Sequence, residues 1–200
     1  MALGWARVRT YVRWVFSARQ LITAGLAVAA IAGAAASPDA ASAATCAGAS
    51  AEPGEASRAV LTRALVCAIN AERHSHGLQA VRPNARLQAA ARRHTRDMVA
   101  KRYFSHTTPE GATVSQRVRR TGYLRSARSW TVGENLAWGA GPLGSARGVV
   151  QAWMHSPGHR RVLLWPSFDQ VGIGVARGAP RPLRRRAVTY TADFGGATRR

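Results

Sequence analysis

The stretch Gly133–Gly139, GENLAWG, carries one charge, Glu134, set between a glycine and an asparagine among apolar residues. A chain with 9 acidic against 29 basic residues that places a carboxylate in such a run must give it a partner, because an unpaired buried charge is costly. Imidazoles are suitable counterparts near neutral pH, and histidines stand in two turn-rich strings: His106 in YFSHTTPEG, and His155 and His159 in AWMHSPGHR. His155 and His159 have the i, i+4 spacing of a helical metal pair. Pro157 and Gly158 lie between them, which argues against one continuous helical turn, so His155 reads as a surface residue. Ser105 and Ser156 adjoin histidines in sequence, but sequence neighbours do not by themselves make a nucleophile and base. Neither HExxH nor GxSxG occurs.

These groups need a scaffold. From Ser57 the apolar spacing Leu61, Leu65, Ala68, Ile69 is helical, and Gly77 is placed to end the helix. A second helix opens at Asn84, with Leu87, Ala91, His94 and Met98 on its packing face and Arg92, Arg93, Arg96 and Lys101 toward water. His94 therefore reads as a satisfied core histidine. A short helix runs from Val114 to Thr121 and stops at Gly122; Trp130–Leu136 reads as extended; Ser145–Met154 is a third substantial helix, followed by a turn at SPGH. Two alternating strands, Gln170–Ala176 and Ala187–Gly195, close the domain as an antiparallel pair. Helices followed by paired strands predict an α+β sandwich. Trp138, Trp153 and Trp165 read as core or cleft-wall aromatics, and Asn135 and Arg160 as residues that hold loops.

The N-terminus gives the compartment. Arg7, Arg9, Arg13 and Arg19 precede the uncharged run LITAGLAVAAIAGAAA, which is followed by Pro38 and ASAAT. This is a secretory signal peptide pattern, too short for the ~20 residues of a spanning helix, with cleavage expected after Ala43 or Ala44. The chain divides accordingly into a signal peptide at 1–44, a flexible arm at 45–58, the folded domain at 59–196 and a basic tail at 197–200, with no transmembrane segment in the mature protein. Outside the cell, Cys46 and Cys67 are expected to pair, closing a loop of about 20 residues worth about 3 kcal/mol in the chain-entropy model. A lipidated Cys46 is the rival, disfavoured by Thr45. The net charge of +20, almost all arginine, points to anionic partners such as envelope polymers or headgroups, and Arg177–Arg186, RGAPRPLRRR, is the one dense cluster.

The strings INAERHSHGL, AARRHTRDM, YFSHTTPEG, GENLAWG, AWMHSPGHR and VGIGV, in this order, resemble the bacterial branch of the CAP superfamily, the secreted domains named for cysteine-rich secretory proteins, antigen 5 and pathogenesis-related proteins. The resemblance runs from about Leu65 to Gly195. It implies an α-β-α sandwich, with a small antiparallel sheet between helical layers and a central cleft in which His106, Glu134 and His159 face one another. Two neutral imidazoles and a carboxylate form a divalent-metal set, zinc above all; the same trio without metal is a hydrogen-bonded cluster. Eukaryotic members carry a second acid near the residues matching Trp153–Ser156, where this chain has WMHS, so three ligands are the most it offers.

The expectation is a secreted or cell-wall-associated monomer. Its cleft binds a divalent metal, a small amphipathic or lipid molecule, or an envelope component, with no specific nucleic acid and no turnover. A metal-dependent hydrolase acting on peptide or cell-wall material is the alternative.

Overall fold

Each long helix begins where a small polar side chain can satisfy the backbone N–H groups that a helix start leaves unpaired. Ser57 accepts from Val60 N–H at the head of α1 (Arg58–Ser75). Asn84 accepts from Arg86 and Leu87 N–H and opens α2 (Ala85–Lys101), just after the two-residue strand β1 (Arg82–Pro83). Thr113 and Gln116 form a reciprocal capping box on α3 (Val114–Arg120). The long strand β2 (Ala127–Ala140) follows, then a 3-10 turn at Gly141–Gly144, and α4 (Ala146–Met154) capped by Ser145. The chain ends with α5 (Pro157–Leu163), β3 (Gln170–Arg177) and β4 (Ala187–Arg199).

The turn expected at SPGH is instead the start of α5, with Pro157 in its first turn. Proline has no N–H to leave unpaired there and its fixed φ suits a helix, so the same residues that discourage a helix interior begin one. In this computed structural model residues 46–182 and 186–199 are described, and the expected signal peptide at 1–44 lies outside them, as do residues 183–185 of the basic loop. Among the described residues no helix is long and apolar enough to cross a membrane.

The sheet has the order β1-β3-β4-β2. β2 and β3 both run antiparallel to β4, whereas the short β1 lies parallel to β3, so the sheet is mixed rather than wholly antiparallel. The expected α+β sandwich is present, with two apolar cores on opposite faces. The larger packs α1, α4 and α5 against Val171, Ile173, Val175, Val188, Tyr190 and Phe194. The smaller joins Leu87 and Ala90 of α2 to Val118, Tyr123 and Leu124.

Strand alternation explains VGIGV: its valines and isoleucine enter the larger core, and Gly172 and Gly174 face α2. A Cβ at Gly172 would collide with the backbone of Leu87 and Gln88, and one at Gly174 with that of Ala91. The helix thus lies on bare strand backbone.

The disulfide Cys46–Cys67 is present, with Cα atoms 5.7 Å apart. The segment read as an arm is also fastened elsewhere: Arg147 N–H donates to Ala49 O, and Arg177 donates to the carbonyls of Pro53 and Ala56. At the other end, β4 continues to Arg199, through residues read as a tail. Arg73 is fully buried and donates to the carbonyls of Gln79, Leu163, Trp165 and Phe168, tying α1 to the segment between α5 and β3.

Candidate functional site

Glu134 and Asn135 are consecutive residues on β2, so they point to opposite sheet faces. Asn135 Nδ2 donates to the His159 carbonyl of α5, on the larger-core side. Glu134 faces the α2 side and meets the loop after that helix: its Oε1 lies 2.8 Å from His106 Nδ1, and its Oε2 accepts from Arg117 Nη2 of α3. GEN therefore straddles the sheet, one side chain holding each helical layer. Gly133 leaves room on the Asn135 side, where an added Cβ would come within 2.8 Å of the Phe168 ring.

Arg117 and Asp193, neither singled out from the sequence, complete the surroundings of Glu134. Arg117 is buried and also donates from Nη1 to the carbonyls of His106 and Ala112, so one guanidinium fixes both the loop and the acid. Asp193 stands directly opposite Glu134 on β4 and is fully buried. With both acids ionised, neither Asp193 oxygen has a hydrogen-bond donor among the described residues. A proton on Asp193, donated toward Glu134, resolves this. Burial, and then the Glu134 charge, push the Asp193 carboxyl well above the usual range in agreement.

Burial would raise Glu134 too, but the His106 hydrogen bond and the charges of Arg117 and the histidines outweigh it and hold the carboxyl down at about 2. The arrangement is one ionised and one protonated acid, side by side. Arg117 is hidden in sequence among the arginines of RVRR; Asp193 had a signal, a single acid in the otherwise uncharged strand AVTYTADFG, the same signal that marked Glu134.

His94 is the core histidine expected. Its Nε2 lies 3.0 Å from Ser105 O, its Nδ1 3.3 Å from Tyr103 Oη, and its Nε2 also comes 3.8 Å from Glu134 Oε2. Burial keeps it below its ordinary pKa. His106 differs, with 47 % of its side chain exposed. Because Nδ1 is engaged by Glu134, its Nε2 is the nitrogen left for a ligand.

His159 is joined to Glu134 by no hydrogen bond or ion pair among the described residues. Its Nδ1 is 2.9 Å from Ser156 Oγ, and burial followed by the charge of His106 lowers it to about 4, so it is neutral at pH 7. His155 is exposed, as expected, its Nδ1 bonded to Gln151 O. Arg160 reaches His76 Nε2 at 3.3 Å. Trp153 is buried with its indole N–H on Leu136 O, whereas Trp165 is 39 % exposed and so is no core residue.

A buried acid at this register, tied to an imidazole of the loop after the second helix, with VGIGV on β3 of the same sheet, agrees with a family model, cysteine-rich secretory protein family (CAP), that matches residues 66–194. The chain belongs to that family. The CAP domain is 35% identical over 105 residues to the uncharacterized protein YkwD of Bacillus subtilis (strain 168), covering 52% of this chain and 38% of that protein. It is 30% identical over 110 residues to the uncharacterized membrane protein YlbC of the same organism, covering 54% of this chain and 29% of that one. The match thus spans well under half of either relative.

Among solved structures, an extracellular protein containing a SCP domain from Bacillus anthracis str. Ames matches with a TM-score of 0.53 and 23% identity, covering 74% of this chain and 45% of that one. An outer surface protein from Borrelia burgdorferi matches with a TM-score of 0.53 and 25% identity, covering 67% of this chain and 90% of that one. These likenesses bear on the fold.

Whether the three expected ligands fit a metal turns on the donor atoms. Both Glu134 oxygens are already engaged, one by His106 and one by a guanidinium, and a cation bound to this carboxylate would sit beside Arg117. No group of three His, Cys, Asp or Glu side chains arranged to hold a metal ion occurs among the described residues. Glu134 suits the role of an orienting partner for His106 better than that of a ligand.

Proposed function

We propose that the protein is an exported CAP-domain binding protein whose His106 imidazole, aimed by the ionised Glu134, takes a ligand from solution without turnover. The observation that carries this reading is the His106 Nδ1–Glu134 Oε1 contact of 2.8 Å between a buried acid and an exposed ring. A buried carboxylate on Nδ1 selects one tautomer and keeps Nε2 open. A divalent metal, zinc by preference for imidazole nitrogen, would take His106 with His159 as a second neutral imidazole. Bound there, it would supply a Lewis-acidic site for an anionic or carbonyl group. Phe104, 42 % exposed two residues from His106, offers apolar surface for a small amphipathic or envelope-derived molecule.

Export is supported by the Arg-rich start and short apolar run, by the Cys46–Cys67 disulfide, and by the extracellular and outer-surface descriptions of the matching solved proteins.

Native mass spectrometry with elemental analysis of the purified protein tests the reading. Retained metal or ligand that disappears in His106→Ala supports it; a wild-type protein that stays bare after exposure to zinc and to envelope extracts removes it.

The alternative, a metal-dependent hydrolase acting on peptide or cell-wall material, draws on the same residues, since a zinc held by His106 and His159 would supply an activated water beside the Glu134 carboxylate. Zinc-dependent turnover of a peptide or glycan panel, lost in His106→Ala and His159→Ala, would favour it.

A further inference from the structure

The segment Gly111–Gly133 contains no acid and five arginines. Arg117 is spent on Glu134 and two carbonyls, but Arg119, Arg120, Arg125 and Arg128 are not buried and make no ion pair among the described residues. Consecutive turns hold them in one small area: Gly122 N–H donates to Arg119 O, Arg125 N–H to Gly122 O and Ala127 N–H to Leu124 O. Arg86 of α2 adds a fifth guanidinium, its Nη1 on Gly122 O. The Arg119 guanidinium lies 6.0 Å from the centroid of Trp130, a ring 39 % exposed on β2.

Like charges carried on consecutive turns without an ion pair repel one another, and an anionic ligand would relieve this. Guanidinium forks favour phosphate, which they grip through two parallel N–H bonds. The apolar residues between the arginines, Val118, Tyr123 and Leu124, are turned inward. A lipid surface would need apolar side chains that protrude, and this patch has a single strand-held ring. A flat indole among guanidinium groups suits alternating sugar rings and phosphates, since the C–H face of a sugar packs on an aromatic face.

We propose that the surface of α3 and the first half of β2 is a docking site for a phosphodiester-linked glycopolymer of the cell envelope, gripped by Arg119, Arg120, Arg125 and Arg128 with Trp130 as the sugar platform. The four arginines and Trp130 take no part in the His106–Glu134 contact, and the proposal does not depend on its reading. Arg177, at the start of the other arginine-rich segment, is used internally on Pro53 and Ala56.

The test measures binding of the purified protein to an immobilised poly(N-acetylglucosamine 1-phosphate) glycopolymer, to neutral dextran, to phosphatidylglycerol vesicles and to a single-stranded oligonucleotide, across ionic strength. The variant with Arg119, Arg120, Arg125 and Arg128 all changed to Ser should bind the glycopolymer about tenfold more weakly or worse at ~0.1 M salt, with a flatter salt dependence. A charge-matched variant with Arg58, Arg63, Arg92 and Arg96 changed to Ser should lose less than about threefold. Trp130→Thr, with an unchanged melting temperature, should weaken the glycopolymer but not inorganic polyphosphate. Equal losses in the two quadruple variants would reduce the patch to general basicity and overturn the proposal. So would tighter binding to vesicles, dextran or oligonucleotide than to the glycopolymer, or an unaffected Trp130→Thr.

Discussion

Glu134 on β2 and Asp193 on β4 are direct cross-strand partners, two buried acids on adjoining strands of one sheet face. Like charges in that position repel, and the pair persists because Arg117 and His106 stabilise one as the anion while the other keeps its proton. A folded-state pKa raised above the unfolded value means that the folded chain binds the proton more tightly, so Asp193 subtracts stability as pH rises from about 4. Asp193→Asn keeps a donor toward Glu134 and abolishes the ionisation. It should equal the wild type in stability near pH 4 and exceed it at pH 8, as read by denaturant midpoints. A wild type that gains on the variant as pH rises would contradict a protonated Asp193.

His159 has the opposite dependence. Its folded pKa, about 4, lies below the ordinary 6.5, so the unfolded chain takes up the proton first as pH falls. Its contribution is intact above pH 6.5 and lost between 6.5 and 4, on the order of 2 kcal/mol after allowance for partial solvent screening. Urea titrations of His159→Asn should show a shallower decline over that interval; an unchanged slope would mean the ring titrates normally.

Arg117 is the cation that keeps Glu134 ionised in a buried place. Arg117→Met should destabilise by about 3–5 kcal/mol, the cost of an uncompensated buried charge. Adding Glu134→Gln should restore part of that loss, because the second change removes the stranded charge. Strict additivity of the two in a double-mutant cycle would show that they do not interact.

Gly174 faces the α2 backbone at Ala91 with no space for a methyl group. Gly174→Ala should cost about 2 kcal/mol or more through overpacking, although alanine has the better strand propensity. A thermal melt that moves upward would place α2 farther from β3 than described.

The strings that resemble the CAP family were legible because short-range chemistry wrote them. Caps at Ser57, Asn84 and Ser145 begin helices by local hydrogen bonds, and the alternation of Val171, Ile173 and Val175 reports a buried strand face. A lone acid in an apolar run located Glu134, and the Cys46–Cys67 pairing followed from an even count in a chain whose start reads as an export signal. SPGH reads as a turn but folds as a helix start because Pro157 breaks helices inside and begins them at the first turn, and only its neighbours in space decide between the two.

What residue types and spacing determined by themselves were most of the elements and the candidate acid, while the family came from the resemblance of six strings. The tertiary structure alone decided which groups surround that acid: it put Arg117 and Asp193 beside Glu134, engaged both of its oxygens, and left His159 bonded to Ser156. The reason is strand register and helix placement. They bring together side chains dozens of residues apart, and burial then sets which of them is charged, neither of which can be read from the chain taken one short segment at a time.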